Sequence, residues 1–541
     1  MKRPDFLFAV LALCFTALMS LPWLVPHMGW TALVGLLPLL LMERLSTAHK
    51  TKHFWWWHYG TFVLWNALTT WWVGEATVGG AVFAILANAL QMSLAFGSFR
   101  WVKRRISGAL PYLYLAAAWI AWERYYLTIA QISWPWLVLG NAFADSTGLV
   151  QWYSVLGTLG GSLWVWASNL SLFGLMVALS DGRMASWNAK ARVAAFGGTV
   201  LALAGPMLWS ACLDFKEEGK PVEVIIGQPN YDPYEKFESL TQQQQDARYL
   251  NLLEGADWSS QESVLVLAPE TFTSRMFTDA VEGHETFLRL QDFLQRHPQA
   301  SFIYGASSFE RQLSRTPPHR CAYDMGEQPG GVHEWILTHN TAVLTDSSGR
   351  YSLYHKSKLV VGTELTPYPG FFIPLERLVA RMMGVQGGLM AKNVGQKEIA
   401  CLPFTAGAVG TAICYESVYG DFCAGYVRKG ARLLAVITND AWWGNTPGYR
   451  QHLNYSRLRA IETRRWVARC ANTGISAIID PRGRLLAQTP WWESALLQGE
   501  VQLLQGESFF VRYGDMTGRA AVFLWALLLA AALFRGRTPK G

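Results

Sequence analysis

The chain has 541 residues, of which 51% are hydrophobic, only 16% are charged and 26 are Trp, so much of it must face something other than water. The formal net charge of +7 hints at a polyanionic partner, but its distribution excludes nucleic acid from the leading place. Between Leu213 and Asp515 there are 29 Lys and Arg against 33 Asp and Glu, so the basic excess lies in the apolar flanks, where membrane topology accounts for it.

Each helix that crosses a hydrocarbon core of about 30 Å needs roughly 20 apolar residues. Runs able to form the centres of such spans occur at Phe6–Leu21, Met28–Leu41, Phe54–Val73, Gly80–Phe96, Leu110–Ala121, Ser162–Leu179, Val193–Cys212 and Arg519–Phe534, which predicts about eight spans. The first run, behind Lys2 and Arg3, could also open a cleaved signal peptide, but no small-x-small site follows it. Basic residues alternate with the loops. Lys2 and Arg3, then Arg44, Lys50 and Lys52, Arg100 and Lys103 to Arg105, Arg183, Lys190 and Arg192, and finally Arg535, Arg537 and Lys540 all fall on one side. The intervening loops carry only Arg124. The positive-inside rule then puts both termini in the cytoplasm and residues 213–515 on the outer face. The expected division is 1–212 (seven spans), 213–515 (an extracytoplasmic domain) and 516–541 (the last span and tail).

Within 213–515, short apolar runs rich in β-branched residues recur at Val222–Ile226, Ser263–Leu267, Ser301–Tyr304, Thr341–Leu344, Val409–Ile413, Leu433–Ile437 and Ile475–Ile479. Stretches of helical character, Glu282–Arg296 and Gln451–Ala468, lie between several of them. The alternation predicts an α/β domain of sheets and helices. The polar run Gln242–Gln245 reads as a solvated helix.

The seven Cys form no CxxC and no HExxH is present, so no metal or redox motif is expected and no cofactor is called for. The outer compartment permits disulfides, although an odd count leaves at least one thiol free. Cys414, in Gly410-Thr411-Ala412-Ile413-Cys414-Tyr415-Glu416, ends a predicted strand and is the candidate nucleophile; Cys423 competes without that context. A buried structural Cys is the alternative reading. A thiol nucleophile needs a base and a group to hold the oxyanion. Glu270 closes the apolar strand that runs through Val264-Leu265-Val266-Leu267, where partial burial would suit it as a base, and Lys356 follows the run Thr341–Leu344 and a turn at Asp346–Gly349. Either alone would read as a surface charge.

Together these residues carry a resemblance. Glu after Pro at a strand end, then Tyr354-x-Lys356-x-x-Leu359-Val360, then Ile413-Cys414-Tyr415-Glu416 resembles the Glu-Lys-Cys triad of the nitrilase (carbon–nitrogen hydrolase) superfamily. Trp134-Pro135-Trp136-Leu137-x-Leu139-Gly140, Asn439-Asp440-Ala441-Trp442-Trp443-Gly444, Arg457-Leu458-Arg459-Ala460-Ile461-Glu462 and Ala471-Asn472-Thr473-Gly474-Ile475-Ser476 are similar to the apolipoprotein N-acyltransferase family over nearly the full length. The resemblance implies a nitrilase-like αββα sandwich beside a polytopic helical membrane domain in the bacterial inner membrane, with the catalytic domain facing the periplasm. It implies transfer of the sn-1 acyl chain of a phospholipid, usually phosphatidylethanolamine, through a Cys414 thioester to the free amine of an S-diacylglyceryl-cysteine apolipoprotein. Glu270 would be the base, Lys356 and the Tyr415 N–H would hold the oxyanions, and Glu364 and Glu416 would support the site. Phe237 stands where many members have a site-lining Trp, and Trp442, Phe371 and Phe372 are further lining candidates. The stretch Leu365–Lys392, with Met382 and Met383, reads either as core or as an apolar lid over the acyl chain. Two other functions stay open: a membrane-tethered amidase with water as acceptor, and a non-catalytic transporter or lipid-binding protein. The near absence of ionisable groups within the spans counts against transport.

Overall fold

The computed structural model describes residues 3–215, 218–260, 262–374 and 393–535. The chain forms two compact units: one contains residues 1–215, 445–462 and 508–541, the other residues 216–444 and 463–507.

The first unit is helical. Among the described residues, six helical segments are long and apolar enough to cross a membrane: Asp5–Leu24, Gly29–Ala48, Val78–Lys103, Tyr153–Ser180, Ala189–Cys212 and Met516–Phe534. Helices Phe54–Thr70 and Leu110–Thr128 occupy the positions of the other two expected spans. Aromatic side chains do much of the packing. Phe15 meets Phe62 and Trp65 edge-on at 5.8 and 5.7 Å, and Trp119 meets Trp166 at 5.6 Å. Several buried polar side chains in this apolar setting are satisfied by one another or by backbone, as hydrocarbon favours. Asn88 donates to Asn66 Oδ1 (2.7 Å), Tyr126 donates to Asn88 Oδ1 (3.0 Å), and Asn66 donates to the Phe62 carbonyl (2.9 Å).

Helix Gly29–Ala48 is broken ahead of Pro38, whose ring removes a donor from the ladder. The buried Asn169 repairs the break: its Oδ1 accepts from the Leu36 amide (2.9 Å), and its Nδ2 donates to the Ala32 carbonyl (2.8 Å). A second kink falls at Gly157, where φ is +65°. A side chain there would be strained and would strike the Phe510 ring at 2.3 Å, so glycine is required. Thr158, one residue on, donates through its amide (2.8 Å) and hydroxyl (2.6 Å) to Glu462, and Arg459 is paired with Glu462 at 2.9 Å. Glu462 and Gln451 lie on helix Pro447–Thr463, and Gln451 Oε1 accepts from Trp136 Nε1 (2.6 Å) and Trp72 Nε1 (3.2 Å). The helix therefore belongs to the helical unit, although its sequence lies inside the α/β stretch.

The second unit contains two sheets. Its strands are β1 (Gly219–Gln228), β2 (Val264–Leu267), β3 (Thr273–Phe277), β4 (Ala300–Ser314), β5 (Tyr323–Gln328), β6 (Val332–Asp346), β7 (Tyr351–His355), β8 (Leu402–Phe404), β9 (Gly407–Ile413), β10 (Leu433–Thr438), β11 (Val467–Ala471), β12 (Ala477–Ile479), β13 (Leu485–Gln488) and β14 (Ala495–Leu504). One sheet runs β14-β1-β2-β4-β6-β5, with β3 on β4 and β7 on β6; the other runs β13-β12-β11-β10-β9-β8. The central pairs β1-β2, β2-β4, β9-β10 and β10-β11 are parallel, which explains why β2, β10 and β11 are buried along their whole length instead of alternating. Cys470 on β11 lies 3.3 Å from the Gly227 carbonyl and 3.4 Å from that of Leu267, so the sheets face one another. Helices Gln242–Leu253 and Glu285–Arg296 cover the first sheet through Tyr249, Leu253, Phe287, Leu290 and Phe293. Helix Gly420–Arg428 backs the second, Tyr426 bonding the Thr411 carbonyl at 2.9 Å.

The layers are those of the expected sandwich, with two local differences. The stretch expected as helix Gln451–Ala468 stops at Thr463; Arg464 takes φ +49° and Val467 opens the buried β11. The glutamine run does start a helix, with a Thr241/Gln244 capping box, but Gln245 is buried and donates to the Lys236 (2.8 Å) and Leu240 (3.1 Å) carbonyls.

Candidate active site

Parallel strands present their C-terminal ends, and the loops after them, on one edge of each sheet. Glu270 follows β2, Cys414 follows β9, and Asn439 follows β10; Lys356 follows β7. These loops supply a cluster of buried charge. Lys356, 1% exposed, donates from Nζ to Glu270 Oε1 (3.1 Å) and lies 3.1 Å from Glu364 Oε2. Asn340 on β6 bridges the same carboxylates, donating to Glu270 Oε1 at 2.7 Å and Glu364 Oε1 at 2.9 Å. The Asn439 amide donates to Glu270 Oε2 (3.1 Å), so both carboxylate oxygens are held. Glu364 is anchored in turn by the Val360 amide at 2.8 Å.

Burial works to lower the proton affinity of Lys356, but Glu270 and then Glu364 outweigh it and hold its pKa well above the usual lysine value. Lys356 is therefore a fixed cation. The Cys414 thiol is pushed far up, first by burial and then by the charge of Glu270, while Lys356 pulls it down. The thiol therefore keeps its proton at neutral pH, and a nucleophilic role for Cys414 would call for a base at the moment of attack instead of a preformed thiolate. Cys414 is half-buried and takes φ +52°, a conformation rare outside glycine. Thr271, next to Glu270, takes φ +51°. Left-handed backbone thus occurs at Cys414 itself and immediately after Glu270, and it persists only where the surroundings hold it. The Glu270–Thr271 segment also passes so close to β4 that a Cβ on Gly305 would lie 2.5 Å from the Thr271 nitrogen.

Glu416 does not touch the Lys356 amine. It is fully buried and accepts from the amides of Ile413 (2.9 Å), Ser357 (2.6 Å) and Lys358 (3.1 Å) and from the Tyr354 hydroxyl (2.7 Å). It ties the loop that carries Lys356 to the residue before Cys414. Burial raises its pKa against the effect of those donors. Behind Asn439, Asn472 donates to Asn439 Oδ1 (3.1 Å), and Asp440 pairs with Arg469 at 2.6 Å with both side chains buried. The motifs Asn439-Asp440 and Asn472-Thr473-Gly474 thus brace the loop that supplies the amide to Glu270.

The remaining candidates are more peripheral. Tyr415 is buried against Tyr419, with ring centroids 5.3 Å apart. Trp442 is 40% exposed and meets Tyr234 edge-on at 6.2 Å. Phe371, 68% exposed, contacts Phe372 at 5.1 Å. The Phe237 side chain and residues 375–392, with Met382 and Met383, lie outside the described residues. Among the described residues no cluster of three or more His, Cys, Asp or Glu could hold a metal ion. Asn340 is the residue that sequence reasoning passes over; its signal was a lone amide just before an apolar β-branched run.

Residues 228–509 match the carbon-nitrogen hydrolase family, and residues 15–171 match the apolipoprotein N-acyltransferase N-terminal domain. The apolipoprotein N-acyltransferase of Chlorobaculum tepidum is 27% identical over 532 residues, covering 95% of this chain and 94% of that one. That of Geobacter metallireducens is 30% identical over 399 residues, covering 74% of this chain and 69% of that one. Among solved structures, Saccharomyces cerevisiae Nit3 of the nitrilase superfamily aligns with a TM-score of 0.36 and 15% identity, covering 54% of this chain and 93% of that chain. The chain belongs to the apolipoprotein N-acyltransferase family, with a carbon-nitrogen hydrolase domain in its C-terminal part.

Proposed function

We propose that this membrane enzyme N-acylates lipoproteins by a ping-pong reaction at Cys414. The observation that carries the reading is the buried contact of Glu270 with Lys356 beside a thiol that is neutral at rest. In the first half-reaction the Cys414 S–H passes its proton to Glu270 while sulfur attacks the ester carbonyl of a phospholipid acyl chain. Lys356 and the Tyr415 N–H face the oxyanion. The ester C–O bond then breaks, Glu270 returns the proton to the departing lysophospholipid oxygen, and a thioester remains. In the second half-reaction the α-amine of a diacylglyceryl-cysteine lipoprotein attacks the thioester and Glu270 takes its proton. Collapse of the intermediate leaves the amide, and sulfur is reprotonated. Phosphatidylethanolamine is the proposed donor. The proposed setting is an eight-span protein of the bacterial inner membrane with residues 213–515 in the periplasm, supported by the placement of basic residues in alternate loops.

Intact mass of the purified protein after incubation with phosphatidylethanolamine tests this. One acyl adduct on Cys414, discharged when a diacylglyceryl-cysteine peptide is added, is the expected result. No adduct, together with ammonia release from small amides, overturns it in favour of hydrolysis.

A further inference from the structure

The acyl-transfer reading uses Glu270, Lys356 and Cys414 but leaves a second buried lysine unexplained. Lys236, on the short helix Pro233–Glu238, is 5% exposed. Its Nζ donates to the Thr271 carbonyl at 2.6 Å and lies 3.2 Å from the Thr271 hydroxyl. Thr271 is the left-handed residue that follows the base. In that conformation the β-carbon crowds the backbone, and a threonine, branched at that carbon, adopts it only when its surroundings hold it there. The surroundings here are specific. From below, Gly305 admits the Glu270–Thr271 backbone at a distance no side chain would allow. From outside, the ammonium grips the carbonyl that the left-handed turn exposes. Lys236 is itself fixed, because the buried Gln245 donates to its carbonyl at 2.8 Å. Helix Gln242–Leu253 is thereby linked to the base through two side-chain contacts.

We infer that Lys236 is a positioning residue of the acylation reaction, its ammonium clamping the left-handed Thr271 backbone so that the Glu270 carboxylate points at the thiol. Burial lowers the Lys236 pKa to about 8, while the Glu270 carboxylate opposes the fall, so the amine stays mostly charged at neutral pH. Released from the clamp, Thr271 relaxes toward negative φ and carries Glu270 with it. A displacement of about 1 Å at a reacting group can cost on the order of 100-fold in rate.

The inference rests on the thioester reading above, and a double-mutant cycle separates the two. The rate of Cys414 acyl-adduct formation is measured by intact mass in wild type, Lys236→Met, Thr271→Gly and the double variant, over a range of phosphatidylethanolamine concentrations. Glycine adopts positive φ without strain, so the clamp is dispensable in its presence. The expected result is a drop of about 10- to 100-fold in the maximal rate for Lys236→Met with the half-saturating lipid concentration unchanged. Thr271→Gly alone stays within about 3-fold of wild type, and adding Lys236→Met to it costs less than about another 3-fold. Wild-type rate in Lys236→Met, or an equal loss with Thr and with Gly at 271, overturns the assignment. If Lys236→Met fails to fold, the comparison of Thr271→Gly with the double variant decides alone, and a loss above 10-fold there overturns it. Absence of an adduct on wild type would instead remove the thioester reading itself.

Discussion

Glu270→Gln isolates the proton transfer from the geometry. The amide has the size of the carboxylate, so Oε1 can still accept from Lys356 and Asn340, and the other half must then face the Asn439 amide, which donates to Oε2 across 3.1 Å in the native site. An NH2 group placed there meets a donor. Leaving one buried donor unpaired costs about 1–3 kcal/mol of stability, which a folded domain of this size can absorb. The catalytic cost is larger. Loss of a general base typically removes about 100- to 10,000-fold in rate, or about 2.7–5.4 kcal/mol at about 1.36 kcal/mol per factor of ten. A second effect runs the other way. The Glu270 charge helps to raise the Cys414 pKa, so its removal increases the thiolate fraction at a given pH. Glu270→Gln should therefore react faster with iodoacetamide at pH 8 while acquiring the lipid acyl group far more slowly. The assay is intact mass of the same preparation after each reagent, with Cys414 identified by peptide mapping. Acylation within 10-fold of wild type would refute the role of Glu270 as base, and alkylation slower than wild type would refute the electrostatic account of the thiol.

Replacing Lys356 by Met should slow both half-reactions, each by the roughly 2.7–4 kcal/mol that one oxyanion donor supplies; a defect confined to deacylation, read by discharge of a preformed adduct, would make it an acceptor-binding residue. Cys414→Ser should form no adduct, because a hydroxyl is far harder to ionise than a thiol with a reference pKa near about 8.5. Cys423→Ser, at a buried thiol 3.7 Å from the Glu416 carbonyl, should retain most activity; the opposite pattern in hydroxylamine-sensitive adducts would reverse the assignment. Glu416→Gln should lower stability by about 1–3 kcal/mol, since its amide would meet donors on several sides, and an unchanged denaturation midpoint would contradict the staple role. Because the folded pKa of Glu416 is raised, its favourable contribution is full below the unfolded carboxylate value and is lost as pH rises through the folded one; Glu416→Gln should flatten that part of the stability profile.

Much of this arrangement is legible in residue order, for definite reasons. Buried parallel strands are continuous apolar runs, so Val264–Leu267 and Leu433–Thr438 announce themselves, and a charge just beyond such a run stands at the sheet edge. Strand β11 is hidden because Trp466-Val467-Ala468-Arg469-Cys470-Ala471 continues a helical pattern without a break residue, and the turn is made by a left-handed Arg464. Strand β5, polar and exposed, owes its conformation to pairing with β6 and not to its own composition. Asn340 escapes notice because its meaning lies in contacts with Glu270 and Glu364, residues 70 and 24 positions away. The place of helix Pro447–Thr463 is hidden likewise, since Gln451 finds its partners at Trp72 and Trp136.

The repair of helix Gly29–Ala48 by Asn169 bears on how the protein is made. The group that closes the break is encoded more than 130 residues after it, on helix Tyr153–Ser180. In lipid an unpaired backbone amide or carbonyl costs several kcal/mol. During synthesis, therefore, the second apolar segment cannot take its final form when it leaves the ribosome. It must wait, shielded by water, by the insertion machinery or by a transient local bond, until the later helix arrives. A change at Asn169 should therefore be felt as an assembly defect in a segment more than 130 residues away from it in sequence.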